Sequence, residues 1–329
     1  MTSTMIRASG LTRHFNVKKE KVEAVSGLDL HVEHGELVAL LGPNGAGKST
    51  TLRMLTTLLR PTSGTALVAG HDVSTEPKAV RGRIGYIGQG NGAAHSQRAS
   101  DELTSQGRAY GLTTATAKTR AAELIGTLGL DAVAGRVVSS LSGGQRRRLD
   151  IAMGLIHTPP LLFLDEPSTG LDPQNRANLA EHVRDLREAS GTTMVLTTHY
   201  LEEADQLAER VVIIDHGTVI ADDTPAALKS AHAGDRVKLW FDHDHDARKA
   251  MVTIGAFAGT APLRHHGSGV EVELADGAQL TPKLLRALDD ALVPVAGVEV
   301  ARPTLDDVFL SLTGRSLREG EPGAGEVAA

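Results

Sequence analysis

The sequence predicts an α/β fold built on a parallel sheet, followed by a smaller α+β domain. Up to about residue 230, short apolar runs alternate with segments of helical periodicity. Several of these runs are almost continuously apolar, which is typical of parallel strands covered on both faces. After residues 222–225 the pattern changes to alternating, half-buried strands. We therefore expect domains at 1–230 and 231–316, and a disordered Gly-, Glu- and Ala-rich tail at 317–329.

The elements of the first domain follow from these runs. The predicted strands are the apolar or β-branched runs Leu37–Leu41, Ile84–Ile87, 161–164, 193–197 and 211–214. The predicted helices have apolar residues at helical spacing and cover 48–59, 116–128, 145–156 and 174–190. Pro61 and Gly64 follow the first of these helices, as expected beyond a helix end. In the second domain we expect strands at 237–241 and 270–274 and helices at 284–292 and 305–312.

Composition narrows the function classes. Of the 329 residues 41% are hydrophobic and 22% charged, which is ordinary for a soluble globular protein. The net charge of -6 provides no basic field, so no nucleic-acid partner is expected. The absence of cysteine excludes disulfides, thiolate zinc sites and a cysteine nucleophile. No apolar stretch approaches the roughly 18–20 residues that span a bilayer, and the first ten residues lack the apolar core of a signal peptide, so any membrane attachment is expected through a partner subunit.

The strongest local motif is GPNGAGKST, which consists of Gly42, Pro43, Asn44, Gly45, Ala46, Gly47, Lys48, Ser49 and Thr50. It follows an apolar strand and opens a helix, which is the context that a phosphate-binding P-loop requires. Its glycines allow backbone N–H groups to surround phosphates, and the helix N-terminus adds partial positive charge. Lys48 is expected to reach the β- and γ-phosphates of ATP, and Ser49 to place its hydroxyl on Mg²⁺. An ordinary Gly-rich turn is the weaker interpretation.

The run LLFLDEP places the acidic pair Asp165 and Glu166 at the end of another apolar strand. Ligands of open α/β sheets bind at this carboxyl edge. Asp165 is expected to hold the Mg²⁺ through water, and Glu166 to orient or deprotonate the attacking water. Such a pair alone is more often a solvated helix cap, but the P-loop in the same chain favours the catalytic interpretation.

The segment LSGGQ supplies a second candidate anion site at a helix N-terminus. It consists of Leu141, Ser142, Gly143, Gly144 and Gln145. Backbone N–H groups and a hydroxyl at this position can donate to an anion. A helix-capping box is the structural alternative.

The order GPNGAGKST, LSGGQ, LLFLDEP and STGLD resembles that of ATP-binding cassette (ABC) ATPases over about the first 230 residues. The resemblance implies a P-loop NTPase domain with a helical subdomain. It also implies a head-to-tail dimer in which LSGGQ of one copy contacts the γ-phosphate held by the other copy. Gln89 matches the Q-loop glutamine, which senses metal and water, and His199 matches the switch histidine, which contacts the γ-phosphate and supports Glu166. Phe15, in LTRHFNV, is the best match for the aromatic residue that stacks on adenine, although a core or surface Phe is nearly as compatible.

The C-terminal sequence ARPTLDDVFLSLTGR resembles the ATPases of daunorubicin-resistance drug exporters. This resemblance implies a separate integral membrane subunit, a location on the cytoplasmic side of the membrane, and export of a hydrophobic compound. The polar stretch 90–100 departs from the family pattern, so contacts with the membrane subunit are not transferred. The alternative is a non-transport ABC ATPase acting in translation or DNA maintenance, although two cassettes or a coiled-coil insertion would then be expected. A phosphotransferase has no reason to contain LSGGQ.

Two charged stretches are better explained by structure than by a site. The acidic run DHDHD at 242–246 and the pair His265 and His266 resemble metal ligands, but a polar turn explains them as well. The run 146–148, three arginines, is interpreted as a solvated helix face rather than a nucleic-acid contact.

Overall fold

A computed structural model describes residues 4–17, 20–90, 92–259 and 261–317. The chain divides into two compact units between Thr224 and Pro225. The helix that begins at Pro225 therefore belongs to the second unit, whereas the sequence had placed the boundary near residue 230. The predicted disordered tail lies outside the described residues except for Leu317. No helix in the described ranges is long and apolar enough to cross a membrane.

The strands of the first unit are β1 (Thr4–Val17), β2 (Glu20–Glu33), β3 (Leu37–Leu41), β4 (Ser63–Val68), β5 (His71–Asp72), β6 (Ile84–Ile87), β7 (Leu161–Asp165), β8 (Thr193–Thr198), β9 (Arg210–Asp215) and β10 (Thr218–Asp223). Its helices are α1 (Lys48–Leu55), α2 (Pro77–Arg83), α3 (Ala99–Ala109), α4 (Thr114–Thr127), α5 (Gly143–Leu155), α6 (Pro173–Ser190) and α7 (Leu201–Leu207). Two 3₁₀ segments, Asp131–Val133 and Val138–Ser140, precede α5.

The core sheet has the strand order β10-β9-β3-β8-β7-β6. Its five strands from β9 to β6 are parallel, and β10 returns antiparallel beside β9. Every residue of β3, β7 and β8 is buried, as the continuous apolar runs predicted. The parallel α/β core and all five predicted strands are confirmed.

A second, antiparallel sheet was not predicted from the sequence. It has the order β2-β1-β4-β5, and its long strands β1 and β2 pair along most of their length. In β2 only alternate residues towards the C-terminal end are buried. Because one face carries charged and polar residues, these strands lack the apolar runs that mark the core sheet.

Three of the four helices predicted in the first unit are confirmed as α4, α5 and α6, and the fourth is shorter than predicted. The predicted helix at 48–59 ends at Leu55, and beyond it Thr57 adopts a left-handed φ of 64°, which breaks the helix. Helices α2, α3 and α7 were missed. Helices α3, α4 and α5 pack against one another and form the expected helical subdomain.

The second unit contains β11 (Asp235–Trp240), β12 (Leu263–His266), β13 (Gly269–Leu274) and β14 (Gly297–Ala301), with α8 (Pro225–His232), α9 (Asp244–Ala258), α10 (Gly277–Asp290) and α11 (Leu305–Thr313). Its antiparallel sheet has the order β12-β13-β11-β14. The core of this unit contains alternate strand residues such as Val237 and Leu239, which pack on residues of α9 and α10 such as Ile254. Asp244, from the acidic run, lies in the first turn of α9 and pairs with His265 (3.0 Å).

Helix α5 lies against β6 through a glycine pair. A Cβ added to Gly85 would lie 2.3 Å from the Gly154 carbonyl oxygen and 2.7 Å from Leu162 Cδ1. The backbone cannot yield as a flexible side chain would, so the close packing of helix on strand requires glycine.

We predict that Gly85→Ala lowers the free energy of unfolding by about 1–3 kcal/mol through overpacking. Gly82→Ala is the matched control, because a Cβ at Gly82 meets nothing within 4 Å. Urea denaturation of both variants measures the difference. An equal stability of the two variants would contradict this packing argument.

Candidate functional site

The P-loop joins β3 to α1 and forms one wall of a cavity of about 350 Å³ at the carboxyl edge of the core sheet. The cavity is lined by P-loop residues together with Ala24, Gln89 and Glu166. Gly45 and Gly47 have φ angles of 84° and 105°, which disfavour any other residue. A Cβ at Gly42 would lie 2.1 Å from the Ile214 carbonyl oxygen, and one at Gly47 would lie 2.5 Å from the Ala24 carbonyl oxygen. The turn therefore requires glycine at 45, close packing requires it at 42, and both require it at 47.

The Lys48 ammonium is the cation of this cavity. Its side chain is 3% exposed, and Nζ donates to the Gly42 carbonyl (2.7 Å) and the Pro43 carbonyl (3.0 Å). Nζ also lies 3.7 Å from Glu166 Oε1. Burial lowers the pKa of Lys48, and the charges of Glu166 and Asp165 oppose this effect. The loop therefore bends around a partly desolvated cation, which suits it to bind phosphate.

Asp165 is fully buried at the end of β7 and accepts two short hydrogen bonds. Ser49 Oγ and Thr197 Oγ1 both donate to its Oδ1 atom at 2.7 Å. Gln89 Nε2 donates to Ser49 Oγ at 3.1 Å, so the glutamine that follows β6 reaches the same group. The structure thus brings Ser49, Asp165 and Gln89 together as predicted.

These groups fit a Mg²⁺ ion that is completed by the oxygens of a bound phosphate ligand. Mg²⁺ prefers oxygen ligands and usually takes one or two protein groups, with phosphates and waters completing the shell. A hydroxyl and a carboxylate at 2.7 Å supply such oxygens. Within the described ranges no group of three or more acidic or histidine side chains forms a metal cluster.

Glu166 projects into the cavity from a strained backbone position. Its φ is 46°, and its N–H donates to both the carbonyl oxygen (3.1 Å) and the hydroxyl (2.9 Å) of Thr197. Oε1 lies 3.6 Å from His199 Nδ1 and 3.7 Å from Lys48 Nζ. The nearby His199 ring and the charge of Lys48 lower the pKa of Glu166, against the effect of burial. The side chain is therefore ionised at neutral pH and can accept a proton from water.

Thr197 was missed by the sequence analysis although it contacts both the Asp165 carboxylate and the Glu166 backbone. It lies beside Asp165 in the parallel register of β7 and β8, and its hydroxyl donates to Asp165 while accepting from the Glu166 N–H. The sequence signal was the pair of threonines, Thr197 and Thr198, directly before His199. It could not be interpreted because the sequence does not show that β8 lies beside β7.

The LSGGQ segment does not line this cavity. Ser142 is the N-cap of α5, and its side chain and that of Gln145 form the reciprocal capping box (3.3 and 3.0 Å). Ser142 and Gly143 are exposed, whereas Leu141 and Gly144 are buried. The segment is thus a capped helix N-terminus on the surface, separate from the P-loop cavity of the same chain.

Phe15 is half-buried on β1 and also does not line the cavity. The guanidinium of Arg13 lies over its ring, 4.8 Å from the centroid. The stacking of Phe15 on adenine stays a prediction.

The interpretation of the arginine run as a solvated face is wrong for Arg147. This residue is 7% exposed, and its guanidinium donates to the carbonyl oxygens of Pro167 and Gly88, both at 2.7 Å. The flanking arginines are half-buried. A run of three arginines around one helical turn must point one of them inward when that face is buried.

Comparisons with known proteins agree with this site. Residues 25–169 match the ABC transporter family, and residues 224–313 match the C-terminal domain of ATP-binding proteins like DrrA1-3. The chain is 44% identical to the daunorubicin/doxorubicin resistance ATP-binding protein DrrA of Streptomyces peucetius, covering 94% of this chain and 92% of the relative. It is 34% identical to the linearmycin resistance ATP-binding protein LnrL of Bacillus subtilis (92% and 98% covered). The fold is also similar to a dimeric, post-hydrolysis structure of the ATP-binding cassette MJ0796 bound to ADP and Pi (TM-score 0.61, 25% identity), which covers 67% of this chain and 98% of that one.

Proposed function

Because the chain belongs to the ATP-binding subunits of ABC transporters, with DrrA-like resistance proteins among its relatives, we propose that it powers export of a hydrophobic, drug-like compound through a separate membrane subunit. It is an ATPase. The observation that carries the proposal is the cavity in which the Lys48 ammonium and the Glu166 carboxylate face each other at 3.7 Å, beside Asp165 and Ser49. A γ-phosphate that binds Lys48 would replace this ion pair, and the Glu166 carboxylate would then face the attacking water.

In the proposed mechanism the P-loop binds and orients the ATP phosphates. The N–H groups of residues 42–47 and the N-terminus of α1 surround the phosphate oxygens, and Lys48 releases its carbonyl contacts to reach the β- and γ-phosphates. Ser49 and Asp165 would hold Mg²⁺, which when bound neutralises charge that develops on the phosphates. Gln89, already bonded to Ser49, is placed to respond to metal and water.

Glu166 is the proposed base of hydrolysis. It orients a water for in-line attack and accepts its proton, since its lowered pKa keeps the carboxylate ionised. His199 lies within 3.6 Å of the same carboxylate and would contact the γ-phosphate from the other side. Most of the rate enhancement would come from positioning and electrostatic stabilisation.

Two copies are proposed to complete each site. The exposed N-terminus of α5 offers donors to an anion but lies outside the chain's own P-loop cavity. A head-to-tail dimer would place Ser142, Gly143 and Gln145 of one copy on the γ-phosphate held by the other, with Leu141 and Gly144 shaping the segment behind them. ATP would then join the two copies, and hydrolysis would release them.

The proposed location is the cytoplasmic side of the membrane, attached through the membrane subunit. The alternative of a non-transport ABC ATPase is not favoured, because the named relatives are drug-resistance proteins of transporter type.

Glu166→Gln is expected to bind ATP with unchanged affinity and to lose about 100-fold or more in turnover, because the amide cannot take a proton from water. Size-exclusion chromatography with ATP should show a stable dimer. Glu188→Gln, at an exposed position on α6, is the control. Turnover within twofold of the control would remove Glu166 from the role of base.

Mixing Lys48→Ala with Gly143→Asp should restore ATPase activity, although each variant alone is inactive. Gly143→Asp places a carboxylate in the first turn of α5, a position that a helix tolerates. In the proposed dimer this carboxylate would repel the γ-phosphate. Half of the dimers in an equal mixture are mixed, and each has one intact site, so about a quarter of wild-type activity is expected. Activity no higher than that of the separate variants would contradict a composite site.

The transport partner is tested by co-purification of the tagged chain from native membranes under mild extraction. An integral membrane protein that is retained, and whose presence changes the ATPase rate, is the expected result. Recovery of active ATPase without a membrane protein would contradict the export proposal while leaving the ATPase site intact.

A further inference from the structure

Helix α5 carries a buried guanidinium that binds backbone on two sides of the site. Arg147 Nη1 donates to the Gly88 carbonyl (2.7 Å), directly before Gln89. Its Nε donates to the Pro167 carbonyl (2.7 Å) and its Nη2 to the Asp165 carbonyl (3.3 Å). A guanidinium presents five donors in one rigid plane, so this residue fixes the distance between the two backbone segments.

Asp150 lies one helical turn further on and binds the other side of the Gln89 segment. Its Oδ1 accepts from the N–H groups of Gly92 (3.0 Å) and Ala93 (3.2 Å). The residue is 4% exposed. Burial raises the pKa of Asp150, whereas these N–H groups and the charge of Arg147 act in the opposite direction. A carboxylate buried this deeply depends on its hydrogen bonds, so the contact resists displacement.

We propose that Arg147 and Asp150 act as positioning residues that clamp the Gln89 segment, together with the backbone that carries Glu166, onto the helix that begins at Ser142. In sequence, Gln89 lies between Gly88, which is bound by Arg147, and Gly92, which is bound by Asp150. At the cavity Gln89 donates a hydrogen bond to Ser49 Oγ.

The clamp gives a physical route between the two nucleotides of a dimer, and this part rests on the proposed function. Helix α5 is continuous from Gly143 to Leu155 and is itself held against β6 by Gly154 and Gly85. A contact between its N-terminus and a neighbouring γ-phosphate would therefore act on Arg147 and Asp150 through one rigid element. Occupancy of the partner's site would then improve the alignment of Gln89 and Glu166, which couples the two hydrolysis events.

The test uses the full-length chain with four variants. Asp150→Ala removes both acceptor contacts, and Asp150→Asn keeps one carbonyl-type oxygen as the conservative rescue. Arg147→Lys keeps the charge but cannot reach two backbone segments at once. Arg148→Lys is the matched control on the same helix, because Arg148 donates instead to the Leu128 carbonyl and contacts His182.

Hydrogen–deuterium exchange of peptides covering Gly92 and Ala93 measures how well Asp150 protects their N–H groups, and it does not require ATP hydrolysis. Exchange should rise about tenfold or more in Asp150→Ala and stay near wild type in Asp150→Asn and Arg148→Lys.

Steady-state kinetics measures how the contacts of Arg147 and Asp150 affect ATP hydrolysis. In Asp150→Ala and Arg147→Lys, kcat should fall about tenfold or more while KM for ATP stays within about twofold, because the P-loop contacts are untouched.

Unchanged exchange and unchanged kcat in Asp150→Ala would overturn the proposal. So would equal losses of kcat and of thermal stability in Asp150→Ala, Asp150→Asn and Arg148→Lys, because these would show a general packing role. If Arg147→Lys does not fold, the comparison of Asp150→Ala with Asp150→Asn tests the proposal by itself. A wild-type chain without ATPase activity would refute the proposed function, and the exchange measurement would still accept or reject the clamp.

Discussion

The buried carboxylate of Asp165 is the constraint on which the rest of the site depends. It is fully buried, so its charge must be satisfied by the groups around it. Ser49 and Thr197 provide two donors at 2.7 Å, and each belongs to a different element: α1 and β8. The P-loop helix, the Asp165 strand and the neighbouring strand are therefore held in one arrangement. The cavity that faces Lys48 and Glu166 follows from that arrangement.

Helix α5 connects this cavity to the surface on which a second copy is proposed to dock. Its first turn is capped by Ser142 and Gln145, and its next turn carries Arg147 into the core of the unit. A capped helix is stiff, and its end can present donors while its buried face holds the backbone around Gln89 and Glu166. The structure shows the capping box, and the proposed anion site would lie at the same helix end.

Helices and strands could be predicted from the sequence where their burial produces a regular pattern of apolar residues along the chain. The continuous apolar runs of β3, β7 and β8 identified strands covered on both faces, and the strand–turn–helix context identified the P-loop. The long strands β1 and β2 were missed because one face is polar. Helix α1 was predicted too long because Leu58 and Leu59 continue its apolar spacing, although Thr57 takes a left-handed conformation and Leu58 is 58% exposed. Helical periodicity does not report such a local change of backbone conformation.

The sequence by itself determined the chemistry of this protein: Lys48, Ser49, Asp165 and Glu166 follow strands whose carboxyl ends meet at one edge of a parallel sheet. It also determined which group of transport ATPases the chain resembles. The tertiary structure alone decided that Thr197 lies beside Asp165, that Arg147 points inward rather than to solvent, and that Asp150 holds the segment after Gln89. The reason is physical: a residue type reports which bonds a side chain can make. Strand register and the buried face of a helix decide which partners are within reach.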